Sequence, residues 1–201
     1  MGAPAMSVAP KKPEHTTPAW PMPPIGGYTA DDLDTLPDLP PHTELIDGSL
    51  VFVSPQTAFH VRTIRILEYG LLRTMPDGFD VMREMTVVID DQQRPEPDLI
   101  LLRADALGDG SETKYDAADV TLAVEVVSPE SRGRDRETKP LKYAKAGIQH
   151  YWRVENQDGQ PVVFVFELEP ATGAYVPTGI HRDRLKLSVP FDIDIDLALP
   201  H

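Results

Sequence analysis

The sequence predicts an α/β domain: a mixed central sheet flanked by helices and entered through an N-terminal hairpin. Three observations carry this expectation. Asp47-Gly48 separates two strand-like runs within residues 42–53 (HTELIDGSLVFV), and Asp-Gly is a strong two-residue hairpin signal. Residues 120–127 (VTLAVEVV) are almost wholly apolar, as expected of a strand covered on both faces. Two segments with helical patterning, 59–75 and 135–146, lie between further strand-like runs. Strands interrupted by helices in this way build a sheet with helices packed against it.

Residues 1–27 are rich in proline and small residues and show no periodicity, so they are expected to be a disordered or loosely docked tail. One domain is expected over residues 28–201. Thr29-Ala-Asp-Asp-Leu reads as a short helix start capped by Thr29 with acidic residues in the first turn, and prolines 37, 40 and 41 then force a turn. After the hairpin, Ser54-Pro55 ends the second strand. Apolar residues at 59, 61, 64, 66, 67, 71 and 72 predict a helix packed on a core, closed by Pro76-Asp-Gly. Residues 81–89 read as one strand. A further strand is entered through Pro97-Asp98, and proline is tolerated at a strand's first position. Residues 105–119 read as a loop with a helical turn. Ser128-Pro129 stops the strand at 120–127. The helix at 135–146 contains Pro140, which suits a nearby helix start or a kink, and Gly147 is a natural C-terminal cap. Strands are expected at 149–154, 161–168 and 185–189.

With 201 residues the chain is long enough to bury a real core, and its 41% hydrophobic and 25% charged residues are ordinary for a soluble fold. No apolar run approaches the roughly 20 residues that cross a bilayer, and the N-terminus lacks the apolar centre of a secretory signal. The absence of cysteine excludes disulfides and thiolate zinc sites and fits a reducing cytoplasm. The net charge of −13 argues against broad, nonspecific nucleic-acid binding. It is uneven, however. Between Ser128 and Gly147 six basic residues face three acidic ones, so this stretch carries +3 and the remainder −16. Such a basic island serves either as a solvated helix face or as a surface for phosphates.

The candidate chemistry starts at Glu125, which interrupts an otherwise apolar strand. An unpaired buried carboxylate costs several kcal/mol, so such a group is paired, protonated or metal-bound. Arg83 and Arg153 are the candidate partners if it is merely paired. Asp98, at the start of another strand, is a second carboxylate. Two carboxylates on neighbouring strands, with the Val126 carbonyl as a third ligand, suit magnesium, which takes oxygen ligands and keeps several waters. Lys139 follows Glu125 by fourteen residues on the succeeding helix, which would fold its ammonium back onto the same place to stabilise developing charge or orient a hydroxide. Arg132, Arg134, Lys142 and Lys145 are the candidate phosphate contacts. Glu44 and His60 are candidate accessories, against the plainer roles of a cross-strand ion-pair partner and a capping or structural histidine. Tyr143, Tyr151 and Trp152 read as core.

Pro97-Asp98, then Glu125-Val-Val-Ser-Pro, then Asp135-xxx-Lys139-xxx-Tyr143-xxx-Gly147-Ile-xx-Tyr151-Trp152 resemble the Uma-two family of restriction endonucleases, within the PD-(D/E)XK nuclease superfamily. Glu44-Leu-Ile-Asp-Gly-Ser-Leu-Val and His60 match its N-terminal block, so the resemblance spans about Tyr28 to Leu168. It implies a restriction-endonuclease-like fold, magnesium-dependent hydrolysis of DNA (manganese as a substitute) and a homodimer. It places the first acidic metal ligand at Asp98 and the second at Glu125. The superfamily's usual lysine lies two residues after that glutamate, where this chain has Val127, and the resemblance implies that Lys139 replaces it from the helix. Pro140 beside it departs from the pattern.

Two functional classes follow. One is a metal-dependent DNA endonuclease, and the same carboxylate pair could serve a hydrolase of RNA or nucleotides. The other is a non-catalytic binding or assembly domain on the same fold, which the displaced lysine and acidic total favour. The sequence holds no glycine-rich phosphate loop, no serine-hydrolase elbow and no recognised DNA-reading module.

Overall fold

The structure, a computed structural model, describes residues 22–199; residues 1–21 of the expected tail fall outside that range. Within 22–27, Gly27 N–H donates to the Pro24 carbonyl, and the Gly26 carbonyl accepts from the Gln92 side chain. The helices are α1 (Asp32–Thr35), α2 (Ala58–Thr74) and α3 (Lys139–Lys145). The first strands are β1 (Glu44–Ile46), β2 (Ser49–Val51), β3 (Phe79–Arg83), β4 (Thr86–Val88), β5 (Leu99–Arg103) and β6 (Lys114–Asp116). The later ones are β7 (Val120–Val126), β8 (His150–Gln157), β9 (Gln160–Glu169), β10 (Ala174–His181), β11 (Arg184–Leu187) and β12 (Ile193–Asp196).

The centre is a six-stranded sheet of order β10-β9-β8-β7-β5-β3, antiparallel except for the parallel pair β7 and β8. This is the mixed sheet that the sequence predicts. One face packs under α2 and the β11–β12 hairpin, with Leu67, Leu71, Leu122, Val124, Trp152, Leu185 and Ile195 among its buried residues. The other packs under α3 and the parallel pair β4–β6, with Val87, Ile100, Ala123, Tyr143 and Tyr151. Alternation along β7 therefore sends Val124 and Val126 to the first face and Ala123 and Glu125 to the second.

Local chemistry explains most of the elements. Asp47 and Gly48, with φ of 50° and 68°, turn β1 into β2, and the left-handed region at both positions is what this tight hairpin requires. Thr57 caps α2 by accepting the His60 N–H at 3.3 Å, and Pro76 forces Met75 out of the helix. Gly70 faces Ile195 so closely that a β-carbon there would lie 2.5 Å from its Cγ1. A bare backbone is what lets α2 settle onto β12.

The structure departs from expectation in several places. Residues 81–89 are two strands, because Glu84 takes a positive φ of 53° and sends the chain out of the main sheet to pair with β6. Thr29 is not the residue flanking α1. Asp32 reaches back to accept the Thr29 N–H and hydroxyl at 2.7 and 2.9 Å. β6, β10 and β12 form where the sequence predicts no strand. The predicted helix at 135–146 is composite: residues 134–138 form a π-helical turn, and Lys139 N–H donates five residues back to Arg134. Pro140 then sits in the first turn of α3, where no N–H is needed, so the proline falls where a helix tolerates it.

Candidate active site

The cleft lies where β5 begins and β7 ends, on the α3 face of the sheet. Leu99 pairs with Val124, so Asp98, one residue before β5, stands opposite Glu125 in the same antiparallel register. Directly opposed side chains share a face and lie within contact range. One Asp98 oxygen accepts the Val126 N–H at 2.5 Å, and the other lies 2.9 Å from His60 Nε2. Val127 N–H is committed to β8 instead, so in the alternating pattern of a strand the Val126 carbonyl leaves on the Asp98 side.

Lys139 reaches this point from α3. Its Nζ lies 2.9 and 3.0 Å from the two Glu125 oxygens, 2.7 Å from Glu44 Oε1 and 3.7 Å from Asp135 Oδ1. Tyr143 O–H donates to Glu125 Oε1 at 2.6 Å. All five residues are buried. Glu44 is held over the site because β1 bonds to the loop before Asp98: Leu45 and Arg94 exchange both backbone hydrogen bonds, and Glu44 Oε1 accepts the Glu96 N–H at 2.9 Å. His42 Nδ1 in turn lies 2.5 Å from Glu96 Oε1.

The electrostatics are those of crowded acids around one cation. Burial pushes the Glu125 carboxyl well up; Lys139 pulls it down, and the neighbouring Asp135, Asp98 and Glu44 add to the rise. Burial likewise raises Asp135. Burial alone would lower Lys139, but Glu125, Glu44 and Asp135 together drive it well above the ordinary lysine range, so the amine stays an ammonium. Burial and Glu125 keep the Tyr143 phenol protonated. Among the described residues, no three His, Cys, Asp or Glu side chains are arranged to hold a metal by themselves. Asp98 and Glu125 are the carboxylates that the register sets opposite each other.

The cleft has a volume of about 240 Å³. Glu44, Glu96, Asp98, Glu125, Glu130 and Asp135 line it against only Lys139 and Arg134 as permanent cations, so anions do not enter on attraction alone. The structure thus brings together Asp98, Glu125, Val126, Lys139, Glu44 and His60. Glu125 is paired to Lys139 rather than to Arg83 or Arg153, whose partners are Glu68 and Glu155. Of the candidate phosphate contacts, Arg134 lines the cleft and Arg132 an adjoining hollow. Lys142 and Lys145 are not brought to it: Lys142 Nζ pairs with Asp47 at 2.6 Å, and Lys145 borders a separate groove. Each step of three residues falls about 60° short of a full helical turn, so the lysines rotate away from Lys139. Two residues of this cluster lie beyond what the sequence assigns to the site: Asp135, and Tyr143, which the sequence places in the core alone. The fourfold spacing 135, 139, 143 marks one helix face and was the available signal.

Among the described residues, no helix is long and apolar enough to cross a membrane. No curated protein matches the sequence. Among solved structures, the chain is similar to one described as a putative nuclease belonging to DUF820 from Anabaena variabilis ATCC 29413. The two share 16% identity with a TM-score of 0.60, over 81% of this chain and 89% of that one. At that identity the likeness shows the fold alone. The sequence profile of the Uma2 (Uma-two) family, described as "Putative restriction endonuclease", matches residues 30–200. With the match spanning nearly the whole chain, this protein belongs to the Uma2 family of restriction-endonuclease-like proteins.

Proposed function

We propose that this chain is a metal-dependent endonuclease that hydrolyses phosphodiester bonds in DNA. Asp98 and Glu125 are its metal ligands, Lys139 its catalytic ammonium, and magnesium its cation, with manganese as a substitute. The observation that carries this reading is the convergence, at one end of the sheet, of two opposed carboxylates and a buried ammonium from the next helix.

The donors suit a hard cation. Asp98, Glu125 and the Val126 carbonyl offer only oxygens, and water would complete the shell as magnesium prefers. Such an ion, when bound, neutralises phosphoryl charge and makes an attacking water more acidic. Lys139 serves as a fixed positive charge rather than a base, because its carboxylate neighbours hold its proton. Glu44 and Asp135 position that ammonium, and His60 orients Asp98. Arg134, at the cleft wall, supplies a phosphate contact. The family resemblance extends the proposal to a homodimer, which sedimentation of the pure protein tests.

The test is nicking of plasmid, single-stranded and branched DNA with magnesium or manganese. Cleavage is expected in the wild type and is lost in Asp98→Ala and Glu125→Ala, with circular dichroism confirming the fold. Lys139→Ala is expected to cost about 100-fold or more, the scale of removing one preorganised charge. Absence of cleavage on all three substrates with both metals defeats the proposal.

A second reading, a non-catalytic binding or assembly domain, is favoured by one observation: both Glu125 oxygens are already within 3.0 Å of Lys139. Calorimetric titration with manganese separates the two. Heat from about one site per chain, lost in Glu125→Ala, supports the nuclease; no heat in the wild type supports the inert domain.

A further inference from the structure

We infer that the groove on the far flank of α3 is a binding site for an unpaired DNA strand, holding a base against its aromatic floor and a phosphate at its cationic rim. This rests on the nuclease reading and names the form in which that substrate leaves the cleft. The groove has a volume of about 730 Å³, room for a nucleotide, and is bordered by Leu141, Lys145, Arg136, Arg153, Phe166 and Tyr175.

Three observations select this occupant. The first is continuity. Register across the sheet places Glu125 beside Arg153, and Arg153 beside Phe164. Since Asp98 stands opposite Glu125, a single cross-sheet row reads Asp98, Glu125, Arg153, Phe164, all on the α3 face. The groove wall at Arg153 thus stands one strand spacing, about 4.8 Å across the sheet, from Glu125. A hollow lined by Arg132 and Arg136 borders both, sharing Thr57, His60, Ser128 and Pro129 with the cleft and the Arg136 side chain with the groove. The second is charge. In a chain of net −13, Arg136, Lys145 and Arg153 line this groove against Glu137, and Glu155 pairs with both arginines, so the rim still carries +1, with exposed Lys145 as its outermost cation. The third is surface chemistry. The Arg153 guanidinium lies 4.8 Å from the Phe164 ring centroid and 5.4 Å from that of Phe166, Tyr151 stacks with Tyr175, and Leu141 is 72% exposed at the rim. Aromatic planes interleaved with guanidinium groups are how sequence-tolerant sites hold unstacked bases, and a duplex, whose bases are already stacked, gains nothing from them.

The experiment is fluorescence anisotropy of the full chain in EDTA, where cleavage is silent. The probes are a labelled oligothymidylate of about 20 nucleotides, longer than the site size of a stacking groove, and a duplex of the same length. The double variant Leu141→Glu/Lys145→Glu changes two exposed side chains outside the cleft. Its affinity for the single strand is expected to fall about tenfold, a loss of the size one base stack supplies. Duplex affinity is expected to fall less than single-strand affinity, because a duplex shares the electrostatic loss but not the stacking loss. In parallel, a strand carrying 4-thiothymidine is photo-crosslinked to the wild type, and the adduct is expected within residues 164–175. Unchanged single-strand affinity, or adducts confined to other segments, overturns the inference. So does a variant that only turns a self-associated protein into a monomer while binding the strand normally. Metal-supported nicking in the wild type alongside any of these results leaves the nuclease standing without the groove. Strand binding at the groove without nicking in any metal removes the nuclease instead.

Discussion

The two faces of the central sheet solve different problems with the same strands. Under α2 and the β11–β12 hairpin the buried core is apolar, from Leu67 to Trp152 to Ile195, with the Arg83–Glu68 pair at its edge. Under α3 the same strands bury Glu125 among Lys139, Glu44 and Asp135, with Tyr143 and Tyr151 beside them. Apolar contact is nondirectional, so the first face tolerates volume-conserving change. The second depends on every charge keeping its partner, because removing one leaves the others buried and uncompensated. The apolar face supports the face that holds the candidate site.

The widest separation between the faces should come from Trp152→Ala. It removes the largest fully buried side chain on the apolar face and should cost about 3–5 kcal/mol in urea unfolding. Metal-binding heat under native conditions should survive it. Lys139→Met, on the polar face, should cost about 3 kcal/mol at neutral pH by leaving three carboxylates without their cation. The pH dependence gives its signature. Glu125 and Asp135 already bind protons more readily folded than unfolded, because burial raises both. Loss of the ammonium raises them further, so the native state takes up protons and gains stability as pH falls. The deficit of Lys139→Met should therefore shrink on acidification, whereas that of Trp152→Ala should not. A deficit constant between pH 5 and 8 would refute the charge account.

Gly70→Ala pushes a methyl into Ile195 and should cost about 1–3 kcal/mol in thermal melts, with no change at the cleft. Smaller still is the rim of the polar face. Hydrogen bonding to Glu96 raises the half-exposed His42, so its contribution is present below its unfolded value near 6.5 and lost as pH rises through its folded one. The stability difference between wild type and His42→Ala should thus be largest near pH 6 and fade above pH 8, at under about 1 kcal/mol.

The same division governs what the sequence reveals. Asp47-Gly48, the α2 pattern and the apolar β7 announce themselves because local geometry and one-face burial leave periodic marks. β6 is three residues long, and β10, an edge strand, carries Pro177 and Gly179, residues that weaken any strand reading. Glu84 breaks a strand through a backbone angle that its side chain does not advertise. At the site, Asp98, Glu125 and Lys139 were legible as charges in apolar or strand-start settings. Asp135 was less so, because in a stretch full of charges only its spacing of four from Lys139, repeated at Tyr143, sets apart the one that is buried. Nor could spacing tell that Lys142 would be spent on Asp47, a contact between residues 95 positions apart.

The π-helical turn at 134–138 sets the phase of everything after it. It inserts one residue more than regular winding needs, and each residue of an α-helix turns the chain by about 100°. A chain shortened by one residue in this stretch would still form its helix and would seat a neighbour of Tyr143 against the sheet in its place. Its ammonium, however, would swing a quarter-turn or more out of the acidic cage. Whether a relative in this family retains the amine would then be decided by a single-residue change in length upstream of the lysine, with the lysine itself untouched.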